Sequence, residues 1–564
     1  MKKLNTKPTL NPLSLDTKAT KWVDKTLTSL SVEERIAQLF VLSSRYDTDA
    51  ECDDLLAIAP GGIHRFPCHN LEQHLRATRR LLDESEGVPP IITGDIEGGS
   101  ISYPFATHIP NQLGVAACDD LELTEELAKL VALESRALGY DWTFTPVVDL
   151  NVAFRNAVVG TRSYGSDVEK VREQARVYVR VLQEHGMAAT AKHWPGEGYD
   201  ERDQHLVTTA NPQNFDDWMD TFGSIYSSLI NDGVMTIMSA HIALPSFIRS
   251  LIPDAGRSAF QPASVSDLLN RVLLRERLGF QGLIVSDATV MGGVTSWLGR
   301  QEAVPAFIEN GCDAFLFSRD PAGDMKLMLD GVRTGKLSEG RLEEAVRRML
   351  TLKAKLQLHT KTSLERLPVL EETKGMLRSD QHMKIAQKAC GKGITLVKDT
   401  AKLLPLKSIK QKRVVVVEDK GWSFFSGAPE RNYDPFKAEL TARGCEVRGF
   451  DKDNFPTAED ADLLVYLIGQ EATPSVSNIH LDFAKLHGSP RNGMAQFNQE
   501  IPTIIVSFGQ PYYLFDAPNY QTYINAYCSI AEVQRQLVPR LFGEVAFEGV
   551  SPVDAFCGLE HLKY

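Results

Sequence analysis

Two stretches of the chain concentrate side chains able to move protons and make bonds. In the first, Lys192-His193-Trp194-Pro195-Gly196-Glu197-Gly198 runs into Tyr199-Asp200-Glu201-Arg202-Asp203-Gln204-His205. A lysine and a histidine leave the end of an apolar run, a Pro-Gly-x-Gly turn reverses the chain, and Asp203 and His205 return two residues apart. In extended backbone that spacing puts both side chains on one face. A carboxylate there can hold one imidazole nitrogen while the other faces a substrate, which makes a competent general acid/base. The same tripeptide is also an ordinary surface-loop sequence. In the second stretch, Leu278–Met291, an apolar run delivers Asp287. A carboxylate so placed can attack an electron-poor carbon and form a covalent intermediate; it can equally cap the next helix.

Both stretches need strands to place them. Eight short apolar or β-branched runs lie between residues 36 and 317: Ile36–Leu42, Gly62–Phe66, Ile91–Asp95, Thr143–Asp149, Met187–Ala191, Val234–Ala240, Leu283–Asp287 and Asp313–Phe317. Helical patterns separate most of them. Asp167–His185 carries apolar residues at 168, 171, 175, 178 and 182, with Asp167 as N-cap and Gly186 just past the end, and Asp120–Tyr140 reads similarly. Strand and helix alternating eight times predict an α/β fold that begins with a (β/α)8 TIM-like barrel. Barrel chemistry sits at the C-terminal ends of the strands. Asp95, Asn151, Lys192, His193, His241 and Asp287 all fall there.

The barrel domain is expected over residues 1–360 and a polar linker, broken by Pro368 and Gly375, over 361–379. Residues 380–564 alternate again, with a helix near Asp380–Gly391 and strands at Ile394–Val397, Arg413–Val417, Asp462–Ile468, Thr503–Ser507 and Tyr523–Tyr527. They predict a doubly wound αβα sandwich. No G-x-G-x-x-G follows any of these strands and no Walker lysine motif occurs, so a dinucleotide site has little support.

Of the 564 residues, 43% are hydrophobic and 24% charged, the balance of a globular protein with a sizeable core. The 61 basic and 73 acidic residues leave a formal charge of −12, which argues against a nucleic-acid or anionic-membrane partner. No run approaches the length of a membrane helix, and the two N-terminal lysines lack an apolar stretch behind them, so a cytoplasmic location is expected. The eight cysteines are scattered without a C-x-x-C pair and read as thiols in a reducing compartment. No clustered ligand set points to a metal or other cofactor.

Taken together, the motifs resemble glycoside hydrolase family 3, and more closely its β-N-acetylglucosaminidase branch, which reads K-H-F/I-P-G-H/D-G and then D-S/T-H. Ile92–Gly99, ITGDIEGG, looks like the family's D-x-E-G-G segment. Asn151 with Val159–Tyr164 looks like N…G-x-R-S-F, and Ser239-Ala240-His241 like its strand-six A-H. Phe556-Cys557-Gly558-Leu559 closes a region similar to the αβα domain of longer members. The resemblance implies Asp287 as catalytic nucleophile, His205 as general acid/base and Asp203 as its orienting partner. It implies that Asp95, Arg162, Lys192 and His193 hold sugar hydroxyls, that Met291 is at the pocket, and that no cofactor is needed. His241 reads equally as pocket wall or packed strand end. The chain departs from the pattern at Ser100-Ile101-Ser102-Tyr103, where arginines are usual and Tyr103 falls at a substrate-pocket arginine. Glu197 and Gln204 also depart. The implied activity is retaining hydrolysis of a terminal β-linked N-acetylglucosamine, a small carbohydrate substrate. A phosphorylase, another donor sugar, or a non-catalytic sugar-binding protein are the competing readings.

Overall fold

The computed structural model describes residues 10–66, 68, 70–99, 103–406, 412–422, 432–494 and 497–564. Its first half is a ring of eight parallel strands: β1 (Phe40–Ser44), β2 (Gly62–Arg65), β3 (Ile91–Gly94), β4 (Trp142–Thr143), β5 (Ala188–Trp194), β6 (Thr236–Ser239), β7 (Leu283–Ser286) and β8 (Phe315–Leu316). They hydrogen-bond in the order β8-β1-β2-β3-β4-β5-β6-β7. A bridge between Val285 and Ala314 brings β7 to β8, so the barrel nearly closes.

The strands sit where the apolar runs fall, with two informative shifts. The first run begins at Ile36, but the strand begins at Phe40 because Val32–Ala37 is a helix, started by a capping box between Ser31 and Glu34. The fourth run extends to Asp149, but regular pairing stops at Thr143. Pro146, which lacks an N–H, interrupts the ladder before a single bridge from Val147 to Lys192. The helix Val168–Glu184 is capped by Asp167, which accepts from Lys170 N at 3.0 Å, and Leu121–Ala137 by Asp120. Both bury one stripe against the barrel wall.

Residues from 395 onward form a second sheet: β9 (Thr395–Asp399), β10 (Arg413–Asp419), β11 (Glu446–Gly449), β12 (Leu463–Ile468), β13 (Thr503–Ser507) and β14 (Thr522–Asn525), in the order β9-β14-β13-β12-β10-β11. All neighbours are parallel except β9 and β14. Strand parity divides its core: Val414, Val416, Val465 and Val506 pack on one face, Val415, Val417, Leu464 and Ile505 on the other. A sheet buried on both sides is the αβα sandwich expected. β11 was absent from the expected strands because its residues are half or fully exposed and offer no apolar run. No described helix is long and apolar enough to cross a membrane.

The segment after β12 crosses to the barrel. Ala472 N donates to Thr161 Oγ1 and Thr473 N to Ala157 O, each at 2.9 Å. Asn111 Nδ2 bridges Glu471 Oε2 and Tyr527 O, both at 2.8 Å. The sandwich is thereby fastened over the C-terminal face of the barrel.

Candidate active site

A cavity of about 150 Å³ opens at the C-terminal ends of the barrel strands. That is the scale of space that accepts a six-membered ring. Asp95, Arg162, Lys192, His193, His205, Asp287 and Met291 all line it, so residues spread over almost two hundred positions converge.

Asp287 follows β7. Its backbone N donates to Ser239 O, continuing the strand ladder, and its Oδ1 accepts from Ala288 N at 2.7 Å. Burial alone would raise its pKa, but His193, His241 and His205 hold it below the ordinary carboxylate value. It is therefore an ionised carboxylate at neutral pH.

His205 stands on the returning loop. Its Nδ1 donates to Asp203 Oδ1 at 2.7 Å, leaving Nε2 for a substrate. Asp203 Oδ1 also accepts from His205 N at 2.7 Å, and Oδ2 accepts from Ser475 N at 2.6 Å. Burial opposes the charge on Asp203, but the His205 ring and these backbone donors keep its pKa below the usual value. The loop is pressed against the segment after β7: Gly292 N donates to His205 O at 2.7 Å and Gly293 N to Gln204 O at 3.0 Å. A Cβ on Gly292 would sit 2.2 Å from Leu206 O, so glycine is required for this approach.

The opposite wall is a chain of buried charges. Glu97 accepts from Arg162 Nε at 2.8 Å and Nη2 at 2.9 Å, a two-pronged pair, and from Lys192 Nζ at 2.8 Å. Lys192 Nζ also reaches Asp95 Oδ1 at 2.8 Å. Desolvation works against Lys192, yet Asp95 and Glu97 raise its pKa, and it stays charged. His193 Nδ1 donates to Asp149 Oδ2 at 2.6 Å, and Asp149 Oδ1 takes the backbone N–H groups of His193 and Glu197. Fixed cations and anions of this kind can grip several ring hydroxyls with charge-assisted hydrogen bonds.

Three expected pocket residues lie elsewhere. Tyr103 does not reach the cavity; its hydroxyl donates to Arg65 O at 2.9 Å and accepts from Tyr140. A buried phenol needs such partners, and they turn it into the wall behind β3. Asn151 donates Nδ2 to Gly160 O at 2.9 Å and so pins the turn that carries Arg162. His241 is fully buried, with Nε2 on Ala288 O at 3.0 Å and Nδ1 against Ser264 Oγ at 2.8 Å. A carbonyl only accepts, so Nε2 carries the proton and Nδ1 takes the serine hydroxyl. His241 supports the peptide beside Asp287 rather than lining the cavity. Ser100, Ile101 and Ser102 lie outside the described residues.

Sequence reasoning assigned no role to Glu97, Asp149, Arg45 or Pro474. Glu97 stood inside the ITGDIEGG segment and Asp149 at the end of the fourth run, so both carried a signal. Arg45 lines the cavity with its guanidinium 3.9 Å over the Phe66 ring. Pro474 comes from the sandwich.

Residues 31–352 match the N-terminal domain of glycosyl hydrolase family 3. A protein from Cellulomonas fimi named β-N-acetylglucosaminidase/β-glucosidase is 36% identical over 98% of both chains. A β-hexosaminidase from Methylobacillus flagellatus is 34% identical over 46% of this chain and 74% of its own. Among solved structures, the β-glucoside phosphorylase BglX bound to 2FGlc superposes with a TM-score of 0.89 at 34% identity, covering 98% of this chain and 99% of that one. The chain belongs to glycosyl hydrolase family 3, as a glycosidase built from a barrel and a sandwich.

Proposed function

We propose that this enzyme removes a terminal β-linked N-acetylglucosamine or glucose with retention, by double displacement at Asp287. An Asp287 oxygen attacks the anomeric carbon while the bond to the leaving oxygen breaks, and protonated His205 gives that oxygen its Nε2 proton. Asp203 holds the imidazole in position and balances its charge. Water then attacks the glycosyl-aspartate, neutral His205 takes its proton, and Asp287 leaves as a carboxylate. Asp95, Arg162, Lys192 and His193 hold the sugar hydroxyls, and Met291 packs against the ring.

The observation that carries this reading is that Asp287 and His205 line one cavity while Asp203 occupies the imidazole's other nitrogen. The names of the relatives support both donor sugars. Phosphate as second-step acceptor is the other reading. It is supported by the full-length similarity to a β-glucoside phosphorylase. It is also supported by the imidazole, since a carboxylate in that place would repel a phosphate dianion.

The test is initial-rate release from aryl β-N-acetylglucosaminide and aryl β-glucoside, with and without phosphate, with Asp287→Asn as the blank. Phosphate-independent turnover that disappears in the variant supports hydrolysis. Turnover that needs phosphate and yields a sugar 1-phosphate supports the second reading. Turnover undiminished in Asp287→Asn would overturn both.

A further inference from the structure

Between Asp203 and His205 stands a side chain that the reaction above does not use. Gln204 is fully buried, and both ends of its amide are engaged. Its Nε2 donates to Glu197 Oε2 at 3.0 Å, and its Oε1 accepts from His241 N at 2.9 Å. Its backbone carbonyl takes the Gly293 N–H at 3.0 Å. One residue thus ties the acid/base loop to the segments that follow three strands: β5 through Glu197, β6 through His241 and β7 through Gly293. Its covalent neighbours are Asp203 and His205, so fixing Gln204 fixes both within one peptide unit.

We infer that Gln204, seated on Glu197, is a positioning residue that sets how His205 meets the leaving oxygen above Asp287. The inference rests on the roles proposed for His205 and Asp287. A planar amide suits this place because it presents a donor and an acceptor in fixed, diverging directions. The seat is equally well defined. Glu197 N is held on Asp149 Oδ1 at 2.9 Å, and the side chain is buried, with Oε1 making no hydrogen bond among the described residues. Burial and the nearby carboxylates of Asp149 and Asp203 push the Glu197 pKa well above its ordinary value. Neutral Glu197 accepts the glutamine N–H without repelling Asp203 and Asp287. Proton transfer depends steeply on placement; a shift of about 1 Å costs on the order of 100-fold.

The test compares kcat/KM, which reports the steps up to the glycosyl-enzyme, over aryl β-glycosides whose leaving phenols run from strongly to weakly acidic. Strongly acidic phenols leave without a proton; weakly acidic ones need His205. Gln204→Met and Glu197→Met each remove half of the clasp at similar volume. Both are expected to lose about 10- to 100-fold on weakly acidic phenols and only a few-fold on the most acidic, a steeper leaving-group dependence. Glu197→Gln, which keeps an acceptor oxygen, is expected to recover most of the loss seen in Glu197→Met. A loss that is uniform across the series, or no loss, in the two methionine variants overturns the inference, since a merely structural role would not change the slope. If one methionine variant does not fold, the other decides. His205→Ala is the control for the underlying reading: a steep dependence there with a flat one in the methionine variants refutes the clasp alone, whereas a flat dependence in His205→Ala refutes the assignment of His205.

Discussion

Asp203→Asn isolates the charge of the proposed acid/base pair from its geometry. Three N–H groups converge on the two Asp203 oxygens: His205 N and Nδ1 on Oδ1, each at 2.7 Å, and Ser475 N on Oδ2 at 2.6 Å. An asparagine has one acceptor oxygen. Placed at the Oδ1 position, it keeps both His205 bonds and turns its NH2 against the Ser475 N–H, which orphans one donor. Placed the other way, it orphans two, so the first arrangement wins. The ring then stays in position and in the same tautomer, and the change is a charge-assisted bond replaced by a neutral one. That difference is about 1–2 kcal/mol, or roughly 5- to 30-fold in a step that needs the imidazolium. The expected result is a loss of that size in kcat/KM on glycosides with weakly acidic leaving groups, little loss on strongly acidic ones, and a stability loss of no more than about 1 kcal/mol, since Ser475 is exposed and its freed N–H can turn to water. Asp203→Ala, which removes both acceptor oxygens and so all three hydrogen bonds, should be far worse. Wild-type kcat/KM in Asp203→Asn on the demanding substrates would refute the role given to this carboxylate.

Glu97→Gln should destabilise the barrel by about 3–5 kcal/mol in chemical unfolding and raise KM, because Arg162 and Lys192 lose the charge that aligns them; an unchanged KM would remove Glu97 from the site. Asp313 is buried under three arginines: burial would raise its pKa, but Arg348, Arg275 and Arg341 hold it down to about 2. Its folded pKa lies below its unfolded one, so its contribution is complete above about pH 4 and is lost as pH falls through about 2, amounting to about 2 kcal/mol. Asp313→Asn should flatten that part of the stability–pH curve while lowering stability at neutral pH, read by denaturant unfolding across pH. Tyr103→Phe removes the donor to Arg65 O and the acceptor for Tyr140, so it should cost about 1–2 kcal/mol in stability and leave KM unchanged; a changed KM would return Tyr103 to the pocket.

Strand ends were the legible part of this molecule. The periodicity between residues 36 and 317 predicts eight strands and the barrel sheet has eight, because each apolar run must be buried inside or behind the barrel; two further two-residue strands, Thr209–Ala210 and Ile242–Ala243, pair with each other in a sheet of their own. The rule that chemistry follows the strand end finds Asp95, Lys192, His193 and Asp287, all of which line the cavity. It does not distinguish a side chain turned to the cavity from one turned to its neighbours. His241 and Asn151 occupy equivalent places along the chain, but a carbonyl beside Asp287 claims one and the Gly160 carbonyl claims the other. Nor does it reach across domains: Ser475 meets Asp203 over 272 residues, and only its backbone N–H takes part, which no side-chain motif announces.

Glu97 and Glu197 show where reading by residue type ends. Both are buried glutamates inside the motifs that carry cavity-lining residues, one in D-I-E-G-G and one in P-G-E-G. Burial pushes both pKa values upward, yet they finish in opposite states. Arg162 and Lys192 reverse the shift at Glu97 and keep it ionised, whereas Asp149 and Asp203 add to it at Glu197 and keep it protonated. The consequence is chemical. Ionised Glu97 can orient two cations toward sugar hydroxyls, and neutral Glu197 can accept an amide N–H without disturbing Asp203 or Asp287. The role of a buried carboxyl is therefore set by the charges that the fold brings to it, and those come from β5 and the segments after β4 and β5, which only folding places beside the two glutamates.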